Sequence, residues 1–266
     1  MRIGIRQNRE GVIALLMMGI SALVLSMQSS SRAAEIFKLD FSTEDDFLTP
    51  LVNGQDISTP PEFGRLVSIS SIGNQHRGPA IFDSNPSGPN FGGPDPDLLV
   101  GLGKILILQS TTAATQTVPG IFNVPNDDAD GGTFVFDYPS PFRMLSIDVI
   151  DIDSPTQGVN FELTDIDGRK RFYTVPSMWT RDINNTPSAA GYETLNLDTL
   201  APQPGEGGGI ATASEQAGFN PDAVVRMTAH FLGSGALDNM TFTPEPTTLG
   251  LLVIAAPILL RRRRSV

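Results

Sequence analysis

Apolar and polar residues alternate with a period of two through most of residues 34–243, the pattern of strands buried on one face. The runs that fit are Glu35–Phe41, Leu66–Ile72, Ala80–Phe82, Lys104–Gln109, Thr133–Tyr138, Arg143–Ile152, Val159–Thr164, Arg171–Val175, Tyr192–Leu197, Ala223–Phe231 and Leu237–Phe242. In Ala223–Phe231, alternation puts Val225, Met227, Ala229 and Phe231 on one side and Arg226, Thr228 and His230 on the other. Turn residues separate the runs: Asp167-Gly168, Gly233-Ser-Gly235 and Ser87-Gly-Pro89. No stretch carries the 3.6-residue period of a long amphipathic helix, and Gly92–Leu99 and Pro202–Gly218 read as aperiodic loops. The expected fold over residues 34–243 is all-β, a single β-sandwich of jelly-roll-like architecture.

The two ends follow different rules. Met1–Glu10 carries three arginines, and an apolar run from Val12 to Met27 follows. A basic start, a short apolar segment and small residues at Ser31 and Ala33 make residues 1–33 an expected signal peptide cleaved after Ala33. At the other end, Pro244-Glu245-Pro246 precedes an apolar stretch and the cluster Arg261, Arg262, Arg263, Arg264. Thr247–Leu260 has 14 residues, about 21 Å as a helix, against a hydrocarbon core of about 30 Å. Such a helix spans only by thinning the bilayer and extending its arginines towards the headgroups. Arginines hold their end on the cytoplasmic side, which leaves residues 34–243 outside.

Pro-Glu-Pro, a short apolar helix and a terminal arginine cluster, in that order behind a signal peptide, resemble the PEP-CTERM sorting signal of bacterial exported proteins. The resemblance covers residues 244–266. It implies that Pro244, Glu245 and Pro246 are read by an exosortase, an integral-membrane cysteine protease and transpeptidase. It also implies that Arg261 to Arg264 are the stop-transfer cluster, and that the tail is removed on the way to the cell surface or medium. Two prolines keep the motif extended and free of helix.

Charge sharpens the picture. Residues 34–243 hold 10 basic and 27 acidic residues, a net charge of −17. That surface repels phosphate backbones and excludes nucleic acid as a partner. It suits divalent cations. The chain has no cysteine, so disulfides, thiol catalysis and thiolate zinc sites are excluded.

Calcium is the expected cofactor. Asn126, Asp128 and Asp130, then Gly131 and Asp137, match positions 1, 3, 5, 6 and 12 of a calcium-binding loop. A solvated Asp-Gly turn is the competing reading, and Asp95 and Asp97 form a sparser acidic pair. Separately, Ala236-Leu-Asp238-Asn239-Met-Thr-Phe242 resembles the final strand of carbohydrate-binding jelly rolls, and Phe37-Lys-Leu-Asp40-Phe41 their first. That resemblance implies a structural calcium at Asp238, with Asp40 as the alternative metal pair. For polysaccharide, Trp179 in the loop Pro176-Ser-Met-Trp-Thr180 is the best aromatic platform, ahead of Tyr173, Tyr192 and Phe91, with a place in the core as its competing reading.

Catalytic groups are sparse. His76 and His230 read as surface residues, and Gly233-Ser234-Gly235 lacks the helix that a nucleophile elbow needs. The leading expectation is a non-enzymatic exported surface or matrix protein binding calcium or polysaccharide. A secreted carbohydrate-active enzyme on the same fold is the second, and a groove joining two carboxylates and an aromatic would favour it.

Overall fold

The computed structural model describes residues 36–57, 63, 66–73, 76–181 and 191–244. The expected signal peptide lies outside the described residues, as does the tail after Pro244, with Glu245, Pro246 and Arg261 to Arg264. Among the described residues no helix is long and apolar enough to cross a membrane.

The described chain is all-β. In sequence order the strands are β1 (Phe37–Leu39), β2 (Ser68–Ile72), β3 (His76–Asp83), β4 (Lys104–Ser110), β5 (Gly132–Ile150) and β6 (Val159–Asp165). They continue with β7 (Lys170–Val175), β8 (Tyr192–Asn196), β9 (Gln203–Pro204), β10 (Ile210–Glu215), β11 (Val224–Phe231) and β12 (Ala236–Pro244). All pair antiparallel in one large sheet.

β5 organises that sheet. Its first half pairs with β2 on one side and β11 on the other, and Asp137 opposes both Ser68 and Arg226. Its second half pairs with β8 and β12, where Ile150 opposes both Tyr192 and Ala236. From β11 the sheet continues through β6, β7, β10 and β9; from β12 it continues to β4 and β3, with β1 alongside the far end of β12.

The registers also show that β5 is bent back on itself. A straight strand of 19 residues would be about 60 Å long. Yet its first residue, Gly132, opposes Phe231, and its last, Ile150, opposes Ala236. Phe231 and Ala236 are joined by one short turn, so both ends of β5 return to the same place. The bend falls where the β11 register slips between Val224 and Arg226, opposite Tyr138-Pro139-Ser140-Pro141. Proline donates no ladder hydrogen bond, so a bulge is where a strand tolerates it. The sequence split this strand in two at those prolines; the backbone passes through them.

Folded this way, both halves of β5 feed one core. Phe134, Phe136 and Tyr138 from the first half meet Met144, Ile147 and Val149 from the second, with Met227 and Phe231 of β11 and Met240 and Phe242 of β12. Ring pairs fix the packing: Phe134 meets Phe231 edge-on at 5.8 Å, and Phe142 meets Phe242 at 4.9 Å. Each such pair contributes about 0.5–1.5 kcal/mol beyond its buried area. A smaller core lies on the other face of β3, β4 and β12, where Ile105, Ile107, Ala80, Phe82, Ile150 and Ala236 are covered by Leu98 and Phe122 from loops. That explains the unbroken apolar run of β4. Leu106 and Leu108 enter the main core, and Ile105 and Ile107 the smaller one.

Two further expectations need correction. Residues 203–215, read as loop, contribute β9 and β10, whose inward positions are the small Ala211 and Ala213. In β11 it is Val224, not Val225, that is buried, because the bulge shifts the alternation by one residue.

Candidate functional site

The loop expected to bind calcium is not assembled as its spacing implies. The Asn126 N–H donates to Gln109 Oε1 and its side-chain amide to the Asp127 carbonyl. Asp128 is buried, with Oδ1 accepting the Asp130 N–H and its carbonyl the Gly131 N–H. Asp137 lies five residues into β5, roughly 17 Å further along at strand rise, and its Oδ1 is 2.6 Å from Arg226 Nε. Asn126, Asp128 and Asp130 therefore form a turn that Asp137 does not join. An extended strand follows Gly131 where a closing loop would be needed.

The other predicted pair comes from segments that lie side by side. β1 lies antiparallel to β12 with Leu39 opposite Met240, so Asp40 follows opposite Asn239, one residue from Asp238. Asp238 is fully buried, and neither of its carboxyl oxygens has a hydrogen-bond partner. Directly opposite it on β5 stands Asp148. Asp148 is satisfied: Thr194 Oγ1 donates to its Oδ1 at 2.6 Å and Asn239 Nδ2 to its Oδ2 at 2.7 Å. Asn239 takes a left-handed φ of 49° at a slip in the β5–β12 register, a conformation asparagine accepts more readily than most residues. Asp40 Oδ1 accepts the Ser42 N–H at 3.0 Å. Burial pushes Asp238 up to about 8; the Asn239 N–H, short of a full hydrogen bond, is the main opposing influence, while Asp148 and Asp40 add to the rise and Lys38 opposes it. A buried carboxyl with no donor and two acidic neighbours either holds a proton or requires a cation.

Trp179 is no ligand platform. It is 1% exposed, its Nε1–H donates to the Gln203 carbonyl, and its ring packs against Gly205. Tyr173 is also buried, with its hydroxyl donating to the Leu197 carbonyl; Phe91 and Tyr192 are exposed. His76, expected on the surface, is buried on β3 with Nε2 beside the Ile72 carbonyl, whereas His230 is exposed with Nδ1 against Thr133 Oγ1. A surface depression of about 530 Å³ is lined by residues including Pro94, Thr112, Thr115, Asn123 and Asn126, with no aromatic or carboxylate among the lining residues.

Other aspartates that periodicity did not single out lie at the turn where the ends of β5 meet: Asp127 before the strand, and Asp151 and Asp153 after it. Chain spacing gives no hint of them, because they become neighbours only through the bend in β5. Among the described residues no three histidine, aspartate or glutamate side chains already stand at the spacing of ligands around one ion. The chain matches no protein-family model, no curated protein and no solved structure.

Proposed function

We propose that the chain is an exported, non-enzymatic surface or matrix protein. In this reading its bent sheet is a jelly-roll-like sandwich, stabilised by calcium at Asp238 with Asp40 and Asp148. The observation that carries it is the Asp238 carboxyl, buried without a donor between two other acidic side chains. Hard oxygen ligands of this kind suit calcium, which is plentiful outside a cell. The return of both ends of β5 to one turn supports a two-layered arrangement of the sheet.

Export rests on the residues of the two ends. The signal peptide delivers the domain across the membrane, the Thr247–Leu260 helix holds it briefly, and an exosortase-type protease reads Pro244, Glu245 and Pro246. β12 ends on Pro244, so the motif starts at the edge of the folded domain and an enzyme on the membrane surface meets it without a long linker. Extracellular polysaccharide remains a partner class, with Phe91 and Tyr192 as exposed rings. The depression near Asn126 lacks the paired carboxylates of a carbohydrate-active enzyme.

Intact-mass measurement of the protein purified from its native host tests the export reading. The expected mass lacks residues 1–33 and those after about Pro246. A mass that retains Arg261 to Val266 overturns sorting and leaves a permanent anchor.

A further inference from the structure

Where the two ends of β5 return to the β11–β12 turn, aspartates from separate segments are gathered. Asp95 and Asp97 come from the loop around the 3-10 turn Pro96–Leu98, Asp127 from the segment before β5, and Asp151 and Asp153 from the segment after it. Close approach at the turn is direct: a Cβ on Gly131 would meet the Phe231 carbonyl oxygen at 2.4 Å and the Gly233 nitrogen at 2.8 Å.

Three carboxyls are each held by a donor on one oxygen. The Asp127 N–H donates to Asp95 Oδ2 at 2.8 Å, the Gly235 N–H to Asp127 Oδ2 at 2.6 Å, and Ser234 Oγ to Asp151 Oδ2 at 2.5 Å. Ser234 is itself fixed by Gln157, whose Nε2 donates to its Oγ at 2.8 Å. Backbone and hydroxyl donors thus orient these carboxyls without neutralising them.

The decisive group is Asp151. It is 1% exposed, and its Oδ1 has no hydrogen-bond partner. The charged neighbours that act on it most strongly are Asp97, Asp153 and Asp95. Those acting on Asp127 are likewise aspartates, Asp95, Asp151 and Asp97. An orphaned carboxyl oxygen at this depth, among further carboxyls, is completed by either a proton or a cation. Asp95, Asp97 and Asp153 are partly exposed, so an ion can enter from solvent.

We propose that Asp95, Asp97, Asp127 and Asp151 form a divalent-cation site, of calcium type, that ties three loops to the β11–β12 turn. The site is separate from the one at Asp238 and does not depend on export. The carboxyls stand further apart than ligands around one ion, so binding draws the Asp95–Asp97 loop inwards. Oxygen-only ligands, partly supplied by loops, match calcium's flexible coordination better than the strict octahedron of magnesium.

Calorimetric titration of the full-length chain, stripped with chelator, tests this with calcium chloride and, in parallel, magnesium chloride. Asp97→Asn removes a partly exposed charge and leaves the core untouched. It should lose one equivalent of bound calcium or weaken that equivalent at least tenfold, and Asp151→Asn should do the same. Asp238→Asn should remove a different equivalent and leave this one in place, so failure of one site is distinguishable from failure of the other. If Asp97→Asn keeps every equivalent of the wild type at unchanged affinity, including none, the proposal is overturned. Loss of an equivalent in Asp97→Asn that is filled only by magnesium overturns the assignment to calcium.

Discussion

Asp238 stands directly opposite Asp148 in the ladder between β12 and β5. Thr194 and Asn239 satisfy Asp148, but nothing satisfies Asp238. Like charges at opposed positions destabilise a sheet, so this pair weakens the metal-free protein whenever both are ionised. Asp238→Asn should therefore raise the melting temperature in chelator at pH 8 and shrink the rise that calcium produces in the wild type. Scanning calorimetry with and without calcium reads both effects. A variant that melts lower in chelator yet gains as much from calcium as the wild type would remove Asp238 from the site.

The metal-free protein should lose stability as pH rises from 5 to 8. Asp95 is pushed up to about 6, and Asp151 and Asp238 to about 8, chiefly by burial. Their values in the unfolded chain lie near 3.9. Between those limits the native state binds protons that the unfolded state has released, so stability is greatest at the acid side and falls as pH climbs through the folded values. Groups facing Asp238 are Asp148, Asp40 and Lys38; those facing Asp151 are Asp97, Asp153 and Asp95. Calcium competes with those protons, so its stabilisation should grow over the same range. Melting temperatures at pH 5, 6.5 and 8 in chelator test the sign; a steady rise with pH contradicts it.

Two ion pairs should differ sharply in importance. Arg171 is buried, 2.7 Å from Glu215, reaches the Leu197 carbonyl and lies 4.7 Å above the Phe219 ring. Glu215 is exposed, so the loss comes from the packing, hydrogen bonds and ring contact of the buried guanidinium, and Arg171→Ala should cost about 2 kcal/mol. Arg226 and Asp137 are equally close but solvent-exposed, and Arg226→Ala should cost under about 1 kcal/mol. Urea denaturation followed by circular dichroism compares them, and equal losses would contradict the ranking.

Trp179 is the only tryptophan in the chain, so its fluorescence reports on one place. A Cβ at Gly207 would lie 1.5 Å from the Met178 carbonyl oxygen, and one at Gly205 2.1 Å from that of Trp179. Backbone cannot move aside as a side chain can. Gly207→Ala should destabilise by about 3 kcal/mol and shift the emission towards that of a hydrated indole. Unchanged emission and stability would mean that this loop is looser than its packing implies.

Nearly every strand was legible because alternation reports one buried face, as in β6, where Val159, Phe161 and Leu163 point inwards. What failed was whatever alternation does not encode. β10 buries small alanines, so its inward face has little hydrophobic contrast. Pro139 and Pro141 carry the chemistry of a turn, and only the pairing on both sides shows the strand running through them. Asp40 and Asp238 were singled out by resemblance, and the β1–β12 register sets Asp40 opposite Asn239, the residue after Asp238. Asp127 and Asp151 were not, since their meeting depends on a bend midway between them. Asn126 to Asp137 had the spacing of a calcium loop, but spacing along a chain becomes distance only in the right backbone shape, and β5 is extended there.

The pairing of β1 with β12 joins residues about two hundred positions apart, the kind of long-range contact that slows folding. β12 also supplies neighbours to β4 and β5, and it is the last strand to be synthesised. Until it arrives, the first strand lacks its partner and the middle of the sheet lacks one side. Without β12 the main core also lacks Leu237, Met240 and Phe242, so its full closure waits until the C-terminal strand has left the ribosome.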